Sequence, residues 1–322
     1  MRIRALTLVL ALAHCVPVFA QDYPSRTITL VVPAPPGGAT DVLARVMADE
    51  MGKRLKRPII IDNKPGASGM LGAGAVARAT PDGYTLLLTH SSPIYYTQYL
   101  FTKMAYDTGR DFAFITEIGA ANLVMAVNRN IPVHSVKEFI GWAQKNKGKV
   151  NYGSFGIGSG SHLLSAYLSD SYQLDMSHVA YKGEALMTQD LISGQIAVAI
   201  GTPGTMGPHL ANGSLRALAI MGNQRQAALP DVPTMPEAGF PDLEYQPPGG
   251  VLLMAPAKTP APILALLEKE ARAAVQTPAM QTRFHAFGIV GIGNSSVDFR
   301  KNYDASGPMV QKLVKVSGAK VD

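Results

Sequence analysis

The chain has 322 residues, 47% apolar and 16% charged, enough for a large core. Its 29 basic and 23 acidic residues give a formal charge of +6, a mild field that favours small anions and, without a long Lys/Arg run, excludes a nucleic-acid surface. One cysteine, Cys15, excludes a disulfide framework.

Residues 1–20 read as a secretory leader. Arg2 and Arg4 form a positive n-region, Ala5–Ala13 is an apolar h-region, and Val18-Phe19-Ala20 suits cleavage before Gln21. The apolar run is too short for a membrane-spanning helix. Leu12-Ala13-His14-Cys15 approximates a lipobox, but His14 stands where a small residue is expected, so soluble export is the preferred reading. Without the leader, 27 basic and 23 acidic residues leave a charge of +4 and no cysteine. Thiol catalysis is then excluded, and a cysteine-free exported chain suits an oxidising compartment such as a periplasm. The remaining length suggests two domains.

Strands and helices then alternate. Thr27–Val32 reads as a buried strand and Val42–Leu55 as an amphipathic helix. Between them, Pro33–Asp41 (PAPPGGATD) is a strand-to-helix turn: prolines stiffen it, Gly37 and Gly38 allow close approach, and Thr40 or Asp41 is the expected N-cap. Such a helix start favours an anion, although taken alone the turn is ordinary geometry. Pro58–Asp62 and Tyr84–Thr89 are further strands flanking the helix Met70–Ala79, so three βα units imply a parallel sheet. After Phe112–Gly119 and Asn122–Asn128, Ser135 and Glu138 form a capping box. Lys149–Ser154, Val179–Lys182, Gln195–Ile200 and Leu215–Met221 are strands that alternate with the helices His162–Tyr172 and Glu184–Ile192 and a short helical piece, giving a second run with its own sheet. From Ala228 a Pro/Gly-rich linker carries one short helix. Gly250–Ala255 is a strand, Pro260–Gln276 and Pro278–Phe287 are helices, and Val297–Gly318 is a helix interrupted near Gly307-Pro308.

A second turn of the opening type, Gly153–His162 (GSFGIGSGSH), joins a strand to a helix start and makes an oxyanion cradle. It is neither a dinucleotide fingerprint nor a P-loop, because Ser161 replaces the third glycine and no Gly-Lys-Ser/Thr follows. Two such turns, one per domain, could hold one ligand from both sides. No serine sits in G-x-S-x-G, and the adjacent Ser161 and His162 do not make a triad. The histidines are scattered without a metal-binding spacing, so no metal or cofactor is expected. His90 and His162 lie at strand-to-helix loops and either face a cleft or are plain loop residues. Tyr181 either covers a ligand or packs between elements, and Lys182 either supplies charge or is solvated.

The segments YPSRTITLVVPAPPGGATDVLAR, IIIDNKPGASGMLGAGAVARATPDGYTLLL, VNYGSFGIGSGSHLL, VAYKGEALMTQDLISGQI, ALPDVPTMPEAGF and LLMAPAKTPAPI resemble, in order, the Bug-type extracytoplasmic solute receptors of tripartite tricarboxylate transporters. The resemblance spans nearly the whole chain after the leader. It implies an α/β type II periplasmic binding-protein fold with a ligand cleft between two α/β domains. One domain would hold residues 21–121 and 222–322, the other 122–221. It further implies a non-catalytic, monomeric periplasmic receptor that binds a small organic carboxylate (a di- or tricarboxylate or an aromatic acid) and delivers it to membrane permease subunits. A sensor for a membrane signalling partner and an exported hydrolase using Ser161 or a metal at His90/His162 are the alternatives. The carboxylate grip falls on Gly37, Gly38, Ala39, Thr40 and Asp41 in the first loop, and on Ser154, Gly156, Gly158, Ser159, Gly160, Ser161 and His162 in the second. His90, Ser91 and Ser92 match a lining strand end, and Tyr181, Lys182 and Gly183 match a Tyr-Lys-Gly motif. Two departures concern the ligand. Gly201-Thr202-Pro203-Gly204 lacks an acidic residue common there, which argues against an amine-bearing ligand. Gln246–Gly250 lacks a common tryptophan. Ligand choice is therefore expected to rest with Ser91, Tyr181, Thr202 and Pro247.

Overall fold

The structure, a computed structural model, describes residues 23–320. The expected leader, its cleavage site and Cys15 lie outside the described residues. Among those described, no helix is long and apolar enough to cross a membrane.

Two sheets organise the chain. The first contains β1 (Ile28–Val32), β2 (Ile59–Asn63), β3 (Thr85–His90), β4 (Phe112–Ala121), β10 (Gly250–Pro256) and β11 (Ile289–Gly291), in the order β11-β4-β10-β3-β1-β2. The second contains β5 (Leu123–Asn128), β6 (Asn151–Ser154), β7 (Ser177–Ala180), β8 (Val198–Gly201) and β9 (Leu215–Met221), in the order β7-β6-β8-β5-β9. Both are mixed rather than parallel. β1 runs parallel to β2 and β3, whereas β10 is antiparallel to both β3 and β4, and β11 to β4. In the second sheet β5 is antiparallel to β8 and β9. The βα rhythm predicted only the crossover pairs, because antiparallel partners far apart in sequence leave no local signature.

Strand alternation decides which face each side chain covers. Ile28, Leu30 and Val32 pack with Leu43, Met47 and Met51 of α1 (Ala39–Leu55), with Leu267 and Ala271 of α9 (Ala261–Val275), and with Phe284 of α10 (Pro278–Phe287). Val31 and Leu87 face the other way, into an apolar layer that continues through Tyr95 and Tyr96 to Met125, Val127, Leu163 and Leu164 beside the second sheet. A third cluster, with Val124, Ala126 and Met206, covers that sheet's far face. Both faces of β1, β3 and β5 are therefore buried, which is why these strands read as continuous apolar runs.

The chain crosses between sheets at Asn122 and again at Gly222, and the two crossings touch. Leu123 pairs with Met221, and the Asn122 Nδ2 donates to the Gln224 carbonyl at 3.1 Å. A further bridge is α11 (Ser296–Ser317). Its Phe299 meets Phe114 of β4 edge-on at 4.8 Å, and further along Lys312 Nζ reaches Tyr167 OH at 3.3 Å on α6 (Gly160–Ser171). The interruption expected at Gly307-Pro308 is absent. An interior proline costs a helix about 3 kcal/mol, but Phe299 on one side and Val310 and Leu313 on the other are buried, which holds both halves in line. The linker's expected helix is a single 3₁₀ turn, Leu243–Tyr245.

Candidate functional site

The first glycine turn is held from below. The N-cap of α1 is Gly38, not Thr40 or Asp41, and no side chain caps it. Asp41 lies inside the first turn at 2% exposure, with its carboxylate bound by the protein itself. Its Oδ2 accepts from the Gly37 N–H at 2.8 Å and from Arg45 Nε at 2.9 Å, and its Oδ1 accepts from Asn63 Nδ2 at 2.9 Å. Burial alone would raise the Asp41 pKa, but the bonds from Arg45, Gly37 and Asn63 hold it below the usual carboxylate range. This stabilisation is present above the unfolded pKa and is lost as pH falls through the folded one. Asp41→Ala is expected to cost about 2 kcal/mol, as for a buried acceptor that leaves donors unpaired. Urea unfolding at pH 7 checks this, and an unchanged midpoint would mean the turn does not depend on the brace.

The second turn also folds its side chains inward. Ser159 caps α6, accepting from the His162 N–H at 3.3 Å and donating to the Gly156 carbonyl at 2.7 Å. His162 is 4% exposed, and its Nδ1 accepts from the Gly158 N–H at 3.2 Å. Its ring stacks on His178 at 3.8 Å, and His178 stacks on Tyr152 at 5.0 Å. The Ser154 hydroxyl lies 2.7 Å from His178 Nε2. Burial, then the neighbouring His178, pushes the His162 pKa down to about 4, and burial also lowers that of His178. Ser161 is fully buried and donates to the Gly153 carbonyl at 3.4 Å, out of reach of a substrate. The His162–His178 stack could not be seen in the sequence, because it depends on Tyr152 and His178 lying side by side in the β6–β7 register.

A cavity of about 460 Å³ opens between the sheets. The first-sheet side supplies Ala39 and Thr40 at the start of α1, His90 at the end of β3, Gly250 and Val251 at the start of β10, and Ala286–Ile289. The second-sheet side supplies Glu184, the first residue of α7 (Glu184–Ser193), and Thr202–Thr205 at the start of α8 (Pro203–Ala211). Ala121 and Asn122 lie between. Of the expected site residues, Ala39, Thr40, His90 and Thr202 are thus brought together. Gly37, Gly38, Asp41, Ser91, Ser154, Gly156, Gly158, Ser159, Gly160, Ser161, His162, Tyr181 and Gly183 are not among its lining. Tyr181 packs beside the third cluster and donates to Asp190 Oδ2 at 2.8 Å. Pro247 lines a separate cavity of about 390 Å³ with Glu117 and Asn302. His90 and His162 do not share the cavity, and no group of three or more metal-ligating side chains occurs among the described residues.

Three helix starts meet this space. The first N–H groups of α1 have no intrahelical partner and no side-chain cap, so they remain available to an anion. At α8, Thr202 caps its own helix by accepting from the Thr205 N–H at 3.3 Å. Burial lowers the His90 pKa to about 4, so the imidazole is neutral at pH 7 and offers hydrogen bonds rather than charge. Glu184, absent from the sequence expectation, accepts from the Thr202 N–H and from Thr202 Oγ1 at 2.9 Å. A carboxylate therefore reaches the Gly201–Gly204 segment from α7.

Known proteins are similar to this chain in architecture and sequence. The model of the tripartite tricarboxylate transporter family receptor matches residues 43–314. Protein BugT of Bordetella pertussis is 35% identical over 277 residues, which is 86% of this chain and 84% of BugT. The solved structure of periplasmic binding protein BugD superposes with a TM-score of 0.76 at 28% identity, covering 92% of this chain and 99% of that one. R. palustris Rpa4515, solved with adipate, superposes with a TM-score of 0.79 at 30% identity, covering 93% and 100%. The matched family is one of transporter receptors, not enzymes, and the two-lobed α/β fold seen here is that of the periplasmic binding protein BugD. The chain belongs to the tripartite tricarboxylate transporter receptor family, the Bug-type solute-binding proteins.

Proposed function

We propose that this protein is a periplasmic receptor that closes over a small organic carboxylate and presents it to a membrane permease. The observation that carries the reading is the uncapped start of α1 in a cavity walled by both sheets. Backbone N–H groups there offer an anion charge-assisted hydrogen bonds, which strengthen as closure removes water. The lobes are residues 23–121 with 222–320, and residues 122–221. They hinge at the touching crossings Asn122 and Gly222. The ligand shifts the open–closed balance by its difference in affinity for the two states. The adipate in the R. palustris neighbour supports a carboxylate as the ligand class. The leader-like residues 1–20 and the family support export.

Titration calorimetry against mono-, di- and tricarboxylates, aromatic acids and amino-carboxylates is expected to give saturable binding to at least one. Thr40→Trp, which fills the cavity at the α1 start, is expected to weaken it at least about 100-fold, the scale of about 2.7 kcal/mol. Tight binding of a sugar with no response to any carboxylate would overturn the reading.

A further inference from the structure

Among the described residues that line the 460 Å³ cavity, Glu184 is the one charged side chain. No lysine or arginine shares the lining, and His90 is neutral. The carboxylate is built into the wall. Oε1 accepts from the Thr202 N–H and Oε2 from Thr202 Oγ1, and the Thr205 side chain also bonds the carboxylate, which leaves part of its acceptor capacity open to a ligand. The end of β8 is shaped to admit it, because a Cβ on Gly201 would stand 2.6 Å from Glu184 Oε1 and 2.5 Å from Met206 Cε. Burial pushes the Glu184 pKa up, while the Thr202 donors oppose the rise. The Thr202 N–H, the Thr202 hydroxyl and the Thr205 side chain all hydrogen-bond the carboxylate, and it lies at the start of α8, so the geometry favours the ionised form.

A ligand carboxylate at the uncapped α1 start leaves the ligand's other end to face this anion. A second carboxylate would meet like charge in a cavity with no cation to offset it. An ammonium would be matched by the opposite charge of the Glu184 carboxylate. We propose that Glu184 makes the cleft selective for a carboxylate that carries a protonated amine at its other end, with Glu184 as the counter-ion. This rests on the carboxylate-receptor reading and specifies the ligand class of that same cavity.

The test compares acids of equal length on the purified exported chain by calorimetry at pH 7.5. The probes are 4-aminobutanoate, 5-aminopentanoate and 6-aminohexanoate against succinate, glutarate and adipate. At least one amino acid is expected to bind about 30-fold more tightly than its matched diacid, the scale of a desolvated charge pair. Glu184→Gln is expected to remove most of that preference, weakening the amino acid and leaving the diacid equal or tighter. A wild-type chain that binds a diacid at least as tightly as its amino counterpart overturns the proposal. So does diacid binding with uptake of one proton, which would give Glu184 the protonated role. A preference that survives Glu184→Gln also overturns it. Binding of diacids without amine preference removes only the role of Glu184, and no binding of any of the six acids to the wild-type chain also overturns this proposal, whereas the carboxylate reading falls only if the wider panel of carboxylates fails as well.

Discussion

Gly250→Ala is expected to be the most damaging single-methyl change at the cleft, costing about 4 kcal/mol through backbone strain plus overpacking. Gly250 has φ +150°, a conformation that L side chains rarely adopt. An added Cβ would stand 2.0 Å from the Gly119 carbonyl oxygen and 2.8 Å from Ala120 Cα. Both belong to β4, the ladder partner of β10, so neither can retreat without breaking the pairing of Gly250 with Ala120. β10 lies between β3 and β4, and its first two residues line the cavity. The strain therefore reaches the sheet and the site together. For a chain of this size a loss of about 4 kcal/mol lowers the melting temperature by roughly 6 °C. Calorimetric scans of the two proteins check this, and a variant that melts with the parent would show that the β4 backbone yields.

Acidification from pH 7 to pH 5 is expected to cost about 2 kcal/mol for each of His90 and His162. Both are held neutral in the fold with pKa values near 4, chiefly by burial. An unfolded histidine titrates near 6.5. Below that value the unfolded chain binds protons that the folded chain refuses, so stability falls with pH until the folded values are reached. His178, also lowered by burial, adds to the loss, and protonation within its 3.8 Å stack on His162 would set like charges face to face. Glu117 and Glu184 act in the opposite sense, since burial raises their folded pKa values and acid relieves them. Asp41, held low, contributes its loss only at more acid pH. Urea midpoints across pH 5 to 7 read the effect. His162→Gln is expected to flatten the slope, and a parent chain equally stable at both ends would show that the rings protonate without cost.

The first glycine turn shows how far local sequence reaches. Its prolines, glycines and place between an apolar strand and an amphipathic helix were enough to predict a strand-to-helix turn with backbone N–H groups to offer. The role of Asp41 was not predictable, because its partner Asn63 arrives on β2, after a whole helix has intervened. The second turn was equally clear as a turn, but its internal bonding was not. Ser159 and His162 look like ligand-facing residues until α6 is formed and the ring of His178 is laid against them.

By itself, the sequence determined the alternation of elements, the apolar faces, the two glycine turns and the family resemblance. Each follows from short-range periodicity, backbone preference or the order of motifs along the chain. Only the tertiary structure decided that β10 and β11 complete the first sheet antiparallel, that the helix after Ser295 runs through Pro308, and that Glu184 stands at the start of α8. Those outcomes depend on which distant segments pack together. Pairing between strands, burial on both sides of a proline and a carboxylate reaching across to Thr202 are free-energy terms that exist only once the chain has closed on itself.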